Sequence, residues 1–339
     1  MNRVAKWLRL NVWVGILLCL SFVLVPASGF SAEKVKFGFS WILVAQTIPF
    51  YVALDKGYWR TEGLDVNILR GFGSGDAVKK VAAGAMDIGA ADSATLVVAR
   101  SKGAMVKEVA MTHMKTMHTI CALGGSGITK PRDLIGKKIA STAKASTRVI
   151  FPAFTEMNGF KVADITWLTS SYAAVIPSLM TGNADAAVCY AAEMPQIQKM
   201  ARKAGKRMVA MRFAEHGLNM YGNGVIASDK AIAEKPKFVG GFVRGAVKGW
   251  AWSVENRQAA TDIYLKHHGE ADAKIAREIM DVLADHFVTA EARKHGYGFM
   301  TKKTMTRTRD LMARFYGIKN VMPVEDLYTN RFIPKIMPK

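Results

Sequence analysis

Strand-like and helix-like segments alternate from Lys34 onward, and this alternation restricts the fold more than any other feature of the chain. Val35, Phe37 and Phe39 alternate with Lys34, Lys36 and Gly38, the period of two expected of a strand. Residues 49–57 predict a helix, with Pro49 in its first turn and Gly57 as its stop. Strands are expected at 65–69, 87–90 and 106–111, and helices at 76–83, stopped by Gly84, and from a cap at Ser93 to Gly103. A second series starts near Thr119. Its strands are expected at 119–123, 138–141, 165–168 and 185–189, and its helices at 146–158, 172–181 and 193–204. Pro152 and Pro177 fall inside two of these helices and weaken their expected continuity. Strands alternating with helices imply α/β lobes built on parallel sheets with helices on both faces. From Ile232 onward the pattern is mostly helical, with segments at about 235–255, 258–268, 272–286, 289–295 and 302–316.

One short echo relates the two series. Gly84-Ala85-Met86-Asp87-Ile88-Gly89-Ala90 has the order helix stop, two residues, Asp, small buried strand, and Gly182-Asn183-Ala184-Asp185-Ala186-Ala187-Val188 repeats it. No Pro-, Gly- or Ser-rich linker separates domains, so the lobes must be joined by chain crossings.

The N-terminus is expected to lie outside this fold. Arg3, Lys6 and Arg9 precede a 16-residue apolar run from Leu10 to Val25, followed by a small-residue exit at Pro26–Ala32. That order is the order of a secretory signal peptide, with cleavage after Ala32 or after Gly29. The run is short for a membrane-spanning helix, and no small residue directly precedes Cys19 as a lipoprotein signal requires. A soluble exported protein is expected.

The chain carries 47 basic against 27 acidic residues, and loss of residues 1–32 would leave a net charge of +17. Such a charge attracts polyanions at long range, yet the cations are scattered. The densest stretch, Lys302–Arg314, has an apolar face at Met305, Leu311 and Met312 and is expected to be a solvated helix. No nucleic-acid partner is expected. Export permits a disulfide between Cys121 and Cys189, but both sit in apolar strand-like runs, and two separate buried thiols are the favoured expectation.

In an open α/β sheet ligands bind beyond the carboxyl ends of the strands. That rule selects Trp41 and Gln46, with Ser40 beside them, after the first strand, Ser74 and Asp76 after the second, and Asp92 and Ser93 after the third. In the second series it selects Ser146, Thr147 and Arg148, then Tyr190 and Glu193; Tyr221 is a further aromatic suited to a cleft wall. Each has an alternative. Ser146 and Thr147 are equally suited to capping a helix, and Trp41, Tyr190 and Tyr221 to packing a core. Gly71–Asp76 places three glycines before a helix, which suits either a ligand-facing loop of exposed N–H groups or a plain turn. Its G-x-G-x-G spacing does not match the dinucleotide fingerprint. No H-E-x-x-H, G-x-S-x-G or C-x-x-C motif occurs. His267 and His268 are adjacent on a helix and point apart, so no metal, cofactor or catalytic group is expected.

Four blocks carry a family resemblance: VKFGFSW with DKGYWRTEGLDV, then GAMDIGAAD, ITKPRDLIGKKIAST, and GVIASDKAIAEKPKFVGGFVRGAVKGWAW. Together they resemble the periplasmic solute-binding proteins of ABC importers for nitrate, sulfonates, taurine and thiamine-precursor pyrimidines, with Trp59 where Phe is usual. The resemblance implies a type II periplasmic-binding-protein fold: two α/β lobes joined by two hinge crossings, with a ligand cleft between them. It implies a first lobe over 33–118, a second over 119–224, and a return to the first with C-terminal helices over 225–339. The crossings would lie near Met114–Thr119 and Gly222–Ile226. It implies a monomer that is not an enzyme, that captures a small organic solute by hinge closure, and that delivers it to an ABC permease and its ATPase at the inner membrane. Trp41, Gln46, Ser74, Asp76, Asp92, Ser93, Ser146, Thr147, Tyr190, Glu193 and Tyr221 are the site that the resemblance implies, and Arg148 completes twelve expected residues. Val44–Pro49 departs from the Asn-His-Ala-Pro-like stretch of the pyrimidine-binding branch, which argues against that branch. Asp76, Asp92 and Glu193 argue against a purely anion-selecting pocket, and Arg148 for one carboxylate or sulfonate contact. Fungal pyrimidine synthases share the fold but carry Cys-Cys-Cys-Phe-Cys, which this chain lacks.

Overall fold

The computed structural model describes residues 32–339. The expected signal segment lies outside them, apart from Ala32. Of the described residues, Glu33–Lys339 form one compact unit.

The first series folds as β1 (Glu33–Gly38), α1 (Ile48–Asp55), β2 (Leu64–Leu69), α2 (Ser74–Ala82), β3 (Ile88–Asp92), α3 (Ser93–Arg100) and β4 (Val106–Met111). The second folds as β5 (His118–Leu123), β6 (Lys138–Ser141), α4 (Ser146–Met157), β7 (Thr166–Thr169), α5 (Tyr172–Met180), β8 (Ala186–Tyr190), α6 (Met194–Lys203) and β9 (Met208–Arg212). β10 (Asn223–Ser228) and α7 (Asp229–Glu234) lead into the helical part: α8 (Pro236–Glu255), α9 (Arg257–His267), α10 (Ala273–Phe287), α11 (Ala290–His295) and α12 (Lys302–Phe315). Pro152 and Pro177 leave α4 and α5 continuous.

Two five-stranded sheets result, β2-β1-β3-β10-β4 and β7-β6-β8-β5-β9. Neither is wholly parallel, contrary to the sequence expectation. β10 runs antiparallel to β3 and β4, and β5 antiparallel to β8 and β9. The physical reason lies in the crossings. The chain leaves each sheet at the carboxyl edge of its strands, so the strand that receives it enters from that edge and must run the other way. The crossings span the residues between Met111 and His118 and between Arg212 and Asn223, the second earlier than expected, because Asn223 already pairs in register with Asp92. In the second sheet His118 pairs with Tyr190 in the corresponding way. β9 was not expected from the sequence.

The echo is structural. Asp87 Oδ2 accepts from Lys36 N at 2.8 Å and Asp185 Oδ2 from Lys138 N at 2.7 Å. Asp87 N and Asp185 N donate back to the same residues' carbonyls. Each aspartate therefore clips the start of its strand to a neighbouring parallel strand.

Each sheet has its own aromatic cluster, while the core also runs between the lobes: Ala191 and Ala192 join the first cluster, and Ala94, Val97 and Met111 join the second. Phe37, Trp59 and Phe242 pack under the first sheet, with the Trp59 indole stacked on Phe242 and its Nε1 donating to the Phe242 carbonyl at 2.9 Å. Phe151, Phe154 and Phe213 fill the second, with Phe154 and Phe213 stacked at 3.9 Å between ring centroids. α12 lies against both α3 and α4, so the C-terminal helices brace the two lobes.

Cys121 and Cys189 form a disulfide, with Cα atoms 6.2 Å apart, so the expectation of two free thiols was wrong. The antiparallel register supplies the reason: Thr119 pairs with Cys189 and Cys121 with Ala187, which sets the two cysteines diagonally across adjacent strands on one face.

Candidate functional site

A cavity of about 600 Å³, counted with its open mouth, lies between the carboxyl ends of the two sheets. Seven of the twelve expected residues line it: Trp41, Gln46 and Ser74 from the first lobe, and Ser146, Thr147, Tyr190 and Glu193 from the second. Ser40, which also follows the first strand, lines it as well, as do Thr142, Tyr172 and Asn223, which were not singled out from the sequence.

The local backbone explains these positions. Gly71 N donates to the Trp41 carbonyl at 2.8 Å and Gly73 N to the Ser40 carbonyl at 2.7 Å. A Cβ at Gly71 would collide with the Phe39 carbonyl, and Gly73 has φ +121°, a conformation that L side chains rarely adopt. The glycines thus serve to lay this loop on the β1 exit. Gly71 and Gly73 spend their N–H groups within the protein, and only Gly73 and Ser74 of the loop reach the cavity.

Two aromatic rings face each other across the lobes. Trp41 and Tyr172 meet edge to face at 5.2 Å between centroids. Tyr172 OH donates to Glu193 Oε1 at 3.1 Å, and Tyr190 N donates to Glu193 Oε2 at 3.0 Å. Burial pushes the Glu193 carboxyl upward, partly offset by these two donors.

Beneath the cavity floor lies a polar cluster that spans the first crossing. His118 Nε2 sits 2.8 Å from Ser146 Oγ and 2.9 Å from Tyr190 OH, and those two oxygens are 2.8 Å apart. His118 Nδ1 is 2.6 Å from Thr116 Oγ1. Burial holds His118 down to about 3, so the ring is neutral. Asp92 Oδ2 is 3.8 Å from His118 Nε2. Desolvation pushes the Asp92 carboxyl up to about 7, against the opposing pull of the Thr95 and Ala94 amides. Serine, histidine and aspartate are all present, but not as a nucleophilic triad. In a triad the carboxylate holds the ring nitrogen remote from the serine; here Asp92 approaches the same nitrogen that faces Ser146, and Thr116 holds the other.

Five expected residues fall outside the lining. Asp92 is the cap of α3, its Oδ1 accepting from Ala94 N at 3.0 Å. This corrects the expectation that Ser93 caps that helix, since the carboxylate one residue earlier already holds the free N–H groups. Ser93 Oγ instead donates to Glu108 Oε1 at 2.7 Å, in a fully buried pair. Asp76 pairs with Lys80 one helical turn on, at 2.8 Å. Arg148 turns away from the cavity, its guanidinium 4.7 Å from the centre of the Trp167 ring and donating to Thr169 Oγ1 at 2.7 Å. Ser146 and Thr147 take the inner face of α4, and the 100° advance per residue carries Arg148 past it. Tyr221 is fully buried, donating to Glu291 Oε1 at 2.7 Å and accepting from Thr301 N at 2.8 Å.

Three polar atoms on lining residues, Thr142 Oγ1, Thr147 Oγ1 and Asn223 Oδ1, are buried without a hydrogen-bond partner among the described residues. Buried polar groups are ordinarily paired, and these three are not. Among the described residues no lysine, arginine or histidine lines the cavity. No group of three or more His, Cys, Asp or Glu side chains among the described residues is placed to hold a metal ion.

The model of the NMT1/THI5-like family matches residues 44–260. The chain belongs to the NMT1/THI5-like family. Among curated relatives, it is 24% identical over 310 residues to a riboflavin-binding protein of Chloroflexus aurantiacus, covering 89% of this chain and 86% of that one. It is 25% identical over 248 residues to a formylaminopyrimidine-binding protein of Halalkalibacterium halodurans, covering 73% and 74%. A 4-amino-5-hydroxymethyl-2-methylpyrimidine phosphate synthase of Candida albicans is 27% identical over 253 residues, covering 72% and 71%. Among solved structures, the alkanesulfonate-binding protein SsuA of Xanthomonas axonopodis pv. citri superimposes with a TM-score of 0.67 at 16% identity, covering 88% of this chain and 99% of that one. The periplasmic nitrate-binding protein NrtA of Synechocystis does so with a TM-score of 0.63 at 10% identity, covering 89% and 87%. The fold of this family member is thus the two-lobed periplasmic-binding-protein fold. Relatives named for pyrimidines lie among its matches despite the departure at Val44–Pro49.

Proposed function

We propose that this protein is the solute-binding component of an ABC importer, exported to the periplasm, and that it captures a small neutral nitrogen heteroaromatic in the cavity beside the Trp41–Tyr172 pair. The observation that carries the choice of solute is the cavity lining. It offers two aromatic rings in edge-to-face contact, unpartnered hydroxyl and amide oxygens at Thr142, Thr147 and Asn223, the carboxyl of Glu193, and no cation among the described residues. A sulfonate, nitrate or carboxylate needs charge-assisted donors to offset its desolvation, and the one arginine expected to supply them, Arg148, points elsewhere. A planar ring with several N–H and ring-nitrogen groups matches both the aromatic walls and the neutral polar ones. The names of the riboflavin- and formylaminopyrimidine-binding relatives support the same class.

In this function nothing is transformed. Closure of the lobes removes water from the solute and strengthens each polar contact on it, and the filled, closed form is what a permease with its ATPase would engage. The His118–Ser146–Tyr190 cluster then acts as a rigid neutral floor. The non-enzymatic reading is favoured over the synthases among the relatives because the triad geometry fails and the Cys-Cys-Cys-Phe-Cys segment is missing.

The test is calorimetric titration of the purified protein with 4-aminopyrimidine, taurine and nitrate. Binding of 4-aminopyrimidine, with taurine and nitrate silent, is the expected result. Binding of taurine or nitrate with 4-aminopyrimidine silent would overturn the choice of solute, and turnover of the bound compound would overturn the choice of function.

A further inference from the structure

The cavity does not end at its aromatic pair. A second, larger space of about 1530 Å³, counted with its open mouth, adjoins it and shares five of its residues: Gln46, Tyr172, Val175, Val188 and Glu193. The chemistry changes across that shared rim. The inner space has walls of hydroxyl, amide and aromatic groups. The outer one is bounded by Ile42–Ala45 from the first lobe, by α5 and α6 from the second through residues such as Ile176 and Met200, and by Ile275, Ala276 and Ile279 of α10. Ile275, Ala276 and Ile279 are buried members of the first lobe's core, so that wall is firm. Across the outer chamber Lys199 of α6 pairs with Asp272, the cap of α10, which ties the second lobe to the C-terminal helices at that point.

A one-ring solute fills only the inner space. It would leave an apolar chamber open beside it, and closing such a chamber over nothing gains no burial of solute surface. We infer that the cognate solute is amphipathic, a heteroaromatic head in the inner cavity carrying an apolar arm that passes the Tyr172–Glu193 rim into the outer chamber. The occupant of the outer chamber is thus part of the same molecule. It is not a peptide or a second copy of the chain, because the chamber communicates with the inner cavity through five shared residues, and its lining is mostly apolar, with Gln196, Lys199, Lys203, Glu270 and Asp272 as its further polar members. This inference rests on the proposed binding of a heteroaromatic head.

The probes are 4-aminopyrimidine, 5-hexyl-4-aminopyrimidine and 5-benzyl-4-aminopyrimidine, titrated calorimetrically into the purified protein. One or both extended compounds are expected to bind at least tenfold more tightly than the bare ring, with a more negative heat-capacity change. Two variants locate the gain. Ala276→Phe fills the chamber from its buried wall, and Ala173→Trp fills it from an exposed lining position where misfolding is not a concern. Both are expected to erase the gain of the extended compounds and to leave 4-aminopyrimidine binding within twofold. Binding of 4-aminopyrimidine with no gain from either arm overturns the inference and leaves the proposed function intact. A gain that survives Ala173→Trp overturns it too, because the arm then lies elsewhere. Failure of 4-aminopyrimidine and both extended compounds alike would sink the proposed function, and the inference with it.

Discussion

Asp92 Oδ2 and His118 Nε2 lie 3.8 Å apart, each side chain 1% exposed, one at the end of a first-lobe strand and the other at the start of a second-lobe strand. Burial moves their protonation in opposite directions, to about 7 for Asp92 and about 3 for His118. In the folded protein both are neutral at mildly acidic pH. On unfolding, Asp92 loses its proton and His118 gains one, so between about pH 4 and 6.5 their contributions to the pH dependence of stability cancel.

Removing one partner should expose the other. Asp92→Asn keeps a side-chain oxygen for the α3 cap but no longer titrates. The raised pKa of Asp92 means that its stabilising protonated form is fully present below the unfolded value and is lost as pH rises to about 7. The stability of Asp92→Asn relative to the parent should therefore rise between pH 4 and pH 7.5, by up to about 4 kcal/mol at 1.36 kcal/mol per pKa unit. Urea unfolding of both proteins across that range measures the difference. A pH-independent difference would show that Asp92 is ionised in the folded state throughout.

Trp41 and Tyr172 come from different lobes, so their contact reports on closure. Trp41 is only half-buried, and Trp41→Ala is expected to lower stability by no more than about 1.5 kcal/mol, the scale of an edge-to-face aromatic pair. A double-mutant cycle with Tyr172→Ala should return a coupling of about 0.5–1.5 kcal/mol in thermal unfolding. Zero coupling would mean that the rings do not meet in solution. Solute binding should be lost in both single variants.

Thr147 carries a hydroxyl that is buried and unpartnered in a side chain with no exposure. Thr147→Val keeps the shape and removes that hydroxyl. Because no hydrogen bond is broken, stability should be unchanged or raised by about 1 kcal/mol. Binding of a solute that uses the hydroxyl should weaken about tenfold, the equivalent of about 1.4 kcal/mol. A fall in melting temperature together with unchanged binding would place Thr147 in the fold and not in the site.

What was legible in the sequence divides along physical lines. Period-two and helical patterns, with glycine stops, located nearly every strand and helix, because those signals are local. Strand direction was not local. The reversal of β5 and β10 follows from the crossings, which no window of residues contains. The rule that ligands sit beyond strand ends picked Trp41, Ser74, Ser146 and Thr147, which line the cavity, because it depends on chain position alone. It did not distinguish Arg148 from its neighbours, since helix phase decides which side chain faces inward. Tyr172 and Asn223 were missed for the opposite reason. Tyr172 reaches the cavity across the lobes from the first turn of α5, and Asn223 starts the strand that returns to the first sheet, so both depend on the tertiary arrangement.

The paired aspartates were the one repeat visible in both sequence and structure. Asp87 and Asp185 each clip a strand start at 2.8 and 2.7 Å. Asp87→Ala and Asp185→Ala are each expected to cost about 1 kcal/mol, the usual net value of a hydrogen bond lost at a partly exposed site. They lie in different sheets with no shared partner, so the double variant should equal their sum within about 0.5 kcal/mol. A larger departure in urea unfolding would mean that the lobes are coupled through these strands.

The Cys121–Cys189 disulfide joins adjacent strands of one sheet but closes a loop across a sequence separation of 68 residues. Cross-linking removes freedom from the unfolded chain, and a loop of this length corresponds to about 4 kcal/mol in the chain-entropy description, with typical measured values of about 2–4 kcal/mol. Cys121→Ala with Cys189→Ala should lower stability by that amount, plus a smaller packing loss in the cluster with Val175, Leu179 and Met194. Because Cys189 also lines the cavity, the double variant tests two things at once. Melting of the parent with and without reductant isolates the cross-link. If reduction reproduces most of the fall seen in the double alanine variant, the cross-link is responsible. If reduction changes nothing while the double variant falls, the two sulfurs contribute by packing alone, and the bond has no role in holding the second lobe.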